Sequence, residues 1–160
     1  MIKTTNKPFG GYSLTNLKEA GQVSTAFEAI LTKNGEQLAH VSNRGNGGCH
    51  NYFPVGHSGR AAFDAAMAEF EAFATEWLGG DAGFEDGDAL ADHLIEVATL
   101  NRMRSTPFLI DDEDYFTTGR FRRIPGASYE QTVETLRAMR DTGRNPRVWD
   151  KKQCAFVPIS

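Results

Sequence analysis

The dipeptide Asn34-Gly35 restricts the fold of this chain more than any other feature. It separates two segments with alternating apolar residues, VSTAFEAILT (23–32) and EQLAHVS (36–42). Asn-Gly is the strongest short signal for a type I′ turn, because both central residues of that turn need a positive φ. We therefore predict a β-hairpin whose register pairs Lys33 with Glu36, Leu31 with Leu38 and Ala29 with His40. On this register one face carries Phe27, Ala29, Leu31, Leu38 and His40.

Apolar residues at three- and four-residue spacing predict three helices farther along the chain. The first should begin after an N-cap at Ser58 and end at Gly79-Gly80. The second should run from about Asp88 to Arg104, and the third should open with the capping box Ser128–Gln131. The expected inner face of the first helix carries Phe63, Met67, Phe70, Phe73, Ala74 and Trp77, and that of the third carries Tyr129, Val133, Leu136 and Met139.

The remaining apolar runs, at residues 106–110, 116–124 and 147–159, predict strands, the last as a hairpin or a kinked strand. The element order is then β-β-α-α-β-β-α-β. Consecutive strands and short turns favour an α+β fold with a mainly antiparallel sheet and about three helices packed on one side. A chain of 160 residues suits a single domain, 1–160, in which residues 1–22 form an irregular N-terminal arm or a poor edge strand.

The composition is that of an ordinary globular protein, with 40% hydrophobic and 24% charged residues. No apolar run is long enough to predict a membrane span, and the N-terminus lacks the apolar core of a signal peptide. The two cysteines, Cys49 and Cys154, are far apart, so we expect reduced thiols. A cytoplasmic protein without a membrane partner is therefore expected.

Charge is distributed unevenly along the chain, although the net charge is only −4. Residues 61–114 contain fourteen acidic residues and two arginines, whereas residues 115–160 contain nine basic and four acidic residues. One interpretation is that these segments attract each other within the fold. The alternatives are an acidic face for a basic partner and a basic face for an anionic partner. The overall acidity argues against a dedicated duplex-DNA binder.

The segment SNRGNGGCHNYFP (42–54) concentrates glycine, asparagine and aromatic residues between a predicted strand and a predicted helix. Glycines let the backbone approach a ligand, and the N–H groups of such loops and of helix N-termini bind anions. Arginine adds bidentate donors, and tyrosine stacks on rings. The ligand-binding residues predicted on this basis are Arg44, Asn46, Gly47, Gly48, His50, Asn51, Tyr52 and Arg60.

Other interpretations of this loop remain open. It lacks the Lys-Ser/Thr end of a P-loop, and its glycines are also typical of a bulge and a wide turn. No metal is predicted, because no C-x-x-C or H-x₃₋₅-H pair is present. No cofactor is assigned. A nucleophilic Cys49 with His50 or His57 as base would also need an orienting group and an oxyanion hole. These three residues are the alternative catalytic candidates, and no catalytic residue is assigned.

Two charged motifs lie nearer the C-terminus. The acidic run 111–114 follows a predicted strand, where carboxylates can hold Mg²⁺, but four contiguous acids are more typical of a solvated loop. The basic motif consists of Arg120, Arg122, Arg123, Arg137, Arg140, Arg144 and Arg147. Contact with phosphates is one interpretation of it, and pairing with the acidic segment is the one we favour.

The pattern V-S-N-x-G-x-G-G-x-x-x-Y-F, at residues 41–53, resembles a pattern in small uncharacterised bacteriophage-encoded accessory proteins. The resemblance covers about a dozen residues. It implies a protein that works in the host cytosol and binds a host factor or a nucleotide. It transfers no catalytic residue.

Three hypotheses about function follow. The leading one is a small binding protein that recognises an anionic, nucleotide-like ligand or a host protein through the Gly/Asn-rich loop. The second is a hydrolase or transferase that acts on nucleotides with Cys49 or His50. The third is an interaction protein whose acidic surface mimics nucleic acid for a basic partner.

Overall fold

The computed structural model describes residues 7–19, 26–45, 47–56, 59–81, 83 and 85–160. A 3₁₀ helix at Pro8–Gly11 precedes four strands: β1 (Tyr12–Glu19), β2 (Phe27–Lys33), β3 (Glu36–Asn43) and β4 (Asn51–Pro54). Two long helices follow, α1 (Arg60–Trp77) and α2 (Asp86–Asn101). The rest of the chain forms β5 (Phe108–Ile110), α3 (Tyr115–Thr118), α4 (Tyr129–Asp141), β6 (Pro146–Asp150) and β7 (Ala155–Pro158).

The predicted α+β class is confirmed. The strands form two antiparallel sheets, with the orders β1-β2-β3-β4 and β5-β6-β7. The chain divides into two compact units, residues 1–98 and 99–160, and each contains one sheet. The single domain expected over 1–160 stays a prediction. Among the described helices, none combines the length and the apolar character that a membrane span requires.

The core of the first unit lies between its sheet and its helices. Alternate residues of β1, β2 and β3 point to this side, as the period of two in a strand requires. The largest contributor from α1 is Phe70, and α2 adds Leu90 and Leu94, all three with at most 1% of their surface exposed. The buried residues of the sheet are Tyr12, Leu14, Phe27, Ala29, Leu31, Ala39 and Val41.

The predicted hairpin is confirmed, but its register is wrong beyond the first pairs. Lys33 pairs with Glu36 as expected, and a β-bulge between Leu31 and Thr32 then pairs Leu31 with Ala39. The bulge places one extra residue of β3 opposite β2, so the residues of β3 beyond it shift by one position. Because side chains alternate along a strand, each of these residues then points to the opposite face of the sheet from the predicted one. In consequence β3 buries Ala39 and Val41, while His40, which we had placed on the inner face, is exposed.

The N-terminal segment contains the edge strand that was one of the two expected alternatives. Strand β1 pairs only with β2 in this sheet. The N–H of Asn34 donates to the carbonyl of Gly11 over 2.9 Å, so the 3₁₀ helix is tied to the β2–β3 turn. Residues 1–6 and 20–22 of the predicted arm lie outside the described residues.

The helix boundaries differ from the predictions at both long helices. Ser58, the expected N-cap of α1, lies outside the described residues, and Gly59 precedes the first turn. Trp77 was expected in the core, but it is 37% exposed at the last turn of α1. Helix α2 begins at Asp86 and ends at Asn101. It therefore does not reach Arg104, the end that we predicted.

The second unit packs α4 on the three-stranded sheet. Leu136 of α4 is fully buried and contacts the cluster that contains Phe108, Ile110 and Val148. The predicted capping box is confirmed: Ser128 Oγ accepts the N–H of Gln131, whose side chain accepts the N–H of Ser128. The C-terminal hairpin is confirmed as β6 and β7. Tyr129, expected on the buried stripe, is 53% exposed.

The strand predicted over residues 116–124 is wrong. Residues Tyr115–Thr118 form a single helical turn, because the Asp114 carboxylate accepts the N–H of Phe116 and Gly119 ends the turn with a left-handed φ of 70°. Only Arg122 retains strand character, in an isolated bridge with Phe108.

Candidate functional site

The Gly/Asn-rich segment is the connection of a second hairpin. Strands β3 and β4 pair Ser42 with Asn51 and Val41 with Tyr52, so the described residues 44, 45 and 47–50 belong to the loop between them. Gly45 and Gly47 adopt φ values of 80° and 81°. Residues that carry a Cβ rarely adopt such values. The interpretation of this segment as a turn is therefore confirmed.

Asn43 holds the loop closed. Its Oδ1 accepts the N–H of Gly45 over 2.7 Å, and its Nδ2 donates to the carbonyl of Gly48 over 2.9 Å. The same Nδ2 lies 3.0 Å from Nδ1 of His50. Because Oδ1 is committed to a backbone donor, the amide presents its NH₂ group to the imidazole.

The carboxylate of Asp88, in the first turn of α2, lies against the loop. It accepts the backbone N–H of His50 over 2.9 Å and the hydroxyl of Tyr52 over 2.8 Å. Burial, and next the hydrogen bond to Asp88, raise the pKa of Tyr52 far above its ordinary value. Donors that the sequence suggested for a ligand therefore contact an anion of the protein itself.

His50 has a partner on each ring nitrogen. Its Nε2 lies 2.6 Å from Oδ1 of Asp92, and its Nδ1 accepts from Asn43. The ring of Phe27 contacts it edge to face, with 4.9 Å between centroids, and 10% of the side chain is exposed. The hydrogen bond to Asp92 raises the pKa of His50 above its ordinary value, although burial opposes this. Neither nitrogen is available as a general base unless one of these contacts breaks.

Cys49 does not have the surroundings of an activated thiol. Its Sγ donates to Oε1 of Glu85 over 2.9 Å, and this hydrogen bond raises the pKa of the exposed thiol. A reactive cysteine has surroundings that lower its pKa, such as cationic neighbours, a helix N-terminus or a metal. The geometry therefore gives no support to Cys49 as a nucleophile.

The other predicted site residues are not brought together. Arg44 and Asn51 are exposed, and Arg60 forms a surface ion pair with Asp64 one turn farther along α1. Asn46 and His57 lie outside the described residues. Of the predicted residues, Gly47, Gly48 and His50 line one cleft beside the loop. Tyr52 does not line this cleft, and its hydroxyl is bonded to Asp88.

A cleft of about 660 Å³ opens beside the loop. Its apolar surface comes from Ala26, Phe27 and Ile95, and Asn43, Gly47, Gly48 and His50 form the loop side. Three carboxylates complete the lining: Glu19, Asp92 and Glu96. The described lining contains neither lysine nor arginine. The field inside this cleft therefore favours positive charge.

The acidic residues that face the loop were not predicted as site residues, although the sequence contains a signal for them. Asp88, Asp92 and Glu96 recur every four residues, so they occupy one side of α2. That spacing is a local property of the helix, and it does not show that this side meets residues about forty positions earlier. Among the described residues, no group of three His, Cys, Asp or Glu side chains has the arrangement of a metal site.

The acidic run in the second unit pairs with arginines of the same unit. Arg144 contacts the carboxylate of Asp111 over 2.7 Å, and Arg122 contacts that of Glu113 over 2.8 Å. These contacts lower the pKa of both carboxyl groups. The favoured interpretation of the basic motif is confirmed for these two arginines.

Comparison with family models, with curated proteins and with solved structures gives no match for this chain.

Proposed function

We propose that this chain is a binding protein whose cleft beside Gly47 and Gly48 recognises a cationic group on an apolar stem, such as a lysine or arginine side chain of a partner protein. The observation that carries the proposal is the lining of the cleft, where three carboxylates accompany an apolar surface and neither lysine nor arginine is present among the described lining residues.

The cleft provides complementary surfaces for both parts of such a group. Lysine and arginine bury an aliphatic stem against apolar surface and keep the charged end near polar groups. Phe27 and Ile95 would contact the stem, and Asp92 and Glu96 would attract the charge. Charge complementarity of this kind gives specificity and faster association rather than affinity alone.

The anionic, nucleotide-like ligand expected from the sequence is the second candidate, because Gly47 and Gly48 line the same cleft. Its recognition would need the loop donors that now contact Asp88. The nucleotide-acting enzyme is a weaker candidate, since both nitrogens of His50 are engaged. If the chain is phage-encoded, the partner would be a host protein in the host cytosol, bound through a basic segment.

NMR titration of the ¹⁵N-labelled protein tests the proposal. The probes are a short arginine- and lysine-containing peptide and, separately, ATP. We expect the peptide to shift the amide signals of Gly47, Gly48 and His50. The double variant Asp92→Asn, Glu96→Gln should weaken peptide binding by about tenfold, since two attractive charges are removed.

The matched control is Asp64→Asn, Glu76→Gln, which removes two charges from α1 outside the cleft. Its peptide affinity should stay within about twofold of the parent, because salt largely screens the attraction between exposed charges that are far apart. Equal losses in the two double variants would show non-specific attraction and contradict the proposal. Shifts at the loop with ATP but not with the peptide would instead favour the anionic ligand.

A further inference from the structure

The second unit contains a cavity with the opposite charge to the cleft of the first unit. Its volume is about 600 Å³, within the range of small-molecule sites. It is bordered by the segment after α2, by the first residue of α4 and by the turn between β6 and β7. Every residue named in this lining lies between residues 99 and 160, all of which are described.

Three cations line this cavity: Arg104, Lys151 and Lys152. Arg122 and Arg144 of the same unit pair with carboxylates, whereas these three form no ion pair among the described residues. The one carboxylate in the lining, Asp150, is engaged by the backbone, since its Oδ1 accepts the N–H groups of Lys152 and Gln153 over 2.8 and 2.9 Å.

Two aromatic side chains contribute to the apolar surface of the cavity. Trp149 is 2% exposed and forms the floor, where its Nε1 donates to Oδ1 of Asn101 over 2.8 Å. Tyr129 lines one wall and is 53% exposed, although its spacing on α4 predicted a buried position. Aromatic faces of this kind stack on planar rings, and neighbouring cations bind phosphate.

We propose that this cavity is a binding site for a phosphorylated compound with a planar ring, of the size of a nucleotide. Lys151, Lys152 and Arg104 would contact the phosphates, and Tyr129 would stack on the ring. This site is independent of the cleft beside Gly47, and the opposite charges of the two linings predict different ligands.

Isothermal titration calorimetry with ATP, adenosine and inorganic phosphate as separate probes tests this site. ATP should bind more tightly than either part alone, since both the charged and the ring contacts are needed. The variant Lys151→Gln, Lys152→Gln should weaken ATP binding by about tenfold or more, and Tyr129→Leu by about fivefold, because charge pairing and stacking are lost. The backbone bonds to Asp150 do not depend on the lysine side chains, so the fold should persist.

The matched control is Arg120→Gln, Arg137→Gln, which removes two exposed charges outside the cavity. Its ATP affinity should stay within about twofold of the parent. The proposal is overturned if ATP does not bind, if the two double variants lose affinity equally, or if Tyr129→Leu has no effect. If ATP does not bind but an oligouridylate does, the cavity is instead a site for single-stranded nucleic acid.

Discussion

The amide nitrogen of Asn43 lies 3.0 Å from Nδ1 of His50 and donates a hydrogen bond to it. This contact requires an unprotonated Nδ1, so the other ring nitrogen carries the proton that faces Asp92. Asn43 cannot reverse its amide without losing its contacts with the backbone of Gly45 and Gly48. Asp92 therefore favours the protonated, charged form of His50, whereas the hydrogen bond from Asn43 to Nδ1 favours the neutral form.

The first prediction is that Asn43→Asp raises the pKa of His50 further, because a second carboxylate then accepts from Nδ1. NMR titration of the imidazole signals measures this, with His50→Gln used to assign the resonance. Asn51→Asp places the same charge on an exposed neighbour and should produce a smaller shift. Equal shifts in the two variants would mean that general charge, and not the Asn43 contact, determines the pKa.

A second prediction concerns the dependence of stability on pH. The folded-state pKa of His50 lies above its ordinary value of 6.5, chiefly because of Asp92. The associated stabilisation is fully present below pH 6.5 and is lost as the pH rises through the folded-state pKa. Asp92→Asn should therefore lower the free energy of unfolding more at about pH 5.5 than at about pH 9. Urea unfolding at both pH values measures the difference, and a loss that is independent of pH would contradict it.

A third prediction separates two adjacent glycines of the loop. Gly47 has a φ of 81°, whereas Gly48 has no positive φ, and a Cβ at either position would meet no atom within 4 Å. Gly47→Ala should therefore destabilise the protein by about 1 kcal/mol through backbone strain. Gly48→Ala is the matched control and should change the free energy of unfolding by less than about 0.5 kcal/mol. Thermal or urea unfolding of both variants decides, and similar losses would contradict the assignment of strain to Gly47.

A fourth prediction concerns Thr132 in α4. Its side chain is fully buried, and Oγ1 has no hydrogen-bond partner among the described residues. Thr132→Val should raise the free energy of unfolding by about 1 kcal/mol, because an unsatisfied hydroxyl leaves the core while the shape is kept. In the control Thr135→Val, an exposed hydroxyl loses its bond to the carbonyl of Gln131, and no stabilisation is expected. Destabilisation by Thr132→Val would contradict the prediction.

Much of the candidate site was not predictable from the sequence. Gly47, Gly48, His50 and Tyr52 were identified from the composition of one short loop. Asp88 and Asp92 were assigned only to a helix, yet their carboxylates determine the environment of His50. The sequence separations of these contacts are 38 and 42 residues, and no local pattern specifies contacts over such distances.

The sequence by itself determined the features that depend on neighbouring residues: the Asn34-Gly35 turn, the capping box at Ser128 and Gln131, and the α+β class. Each arises from backbone conformation or hydrogen bonds within a few positions, or from the period of apolar residues. Only the tertiary structure decided the bulge after Leu31, because burial of Val41 in place of His40 depends on the helices that cover the sheet. The charge of the cleft was decided in the same way, since it exists only where α2 brings its carboxylates to the loop.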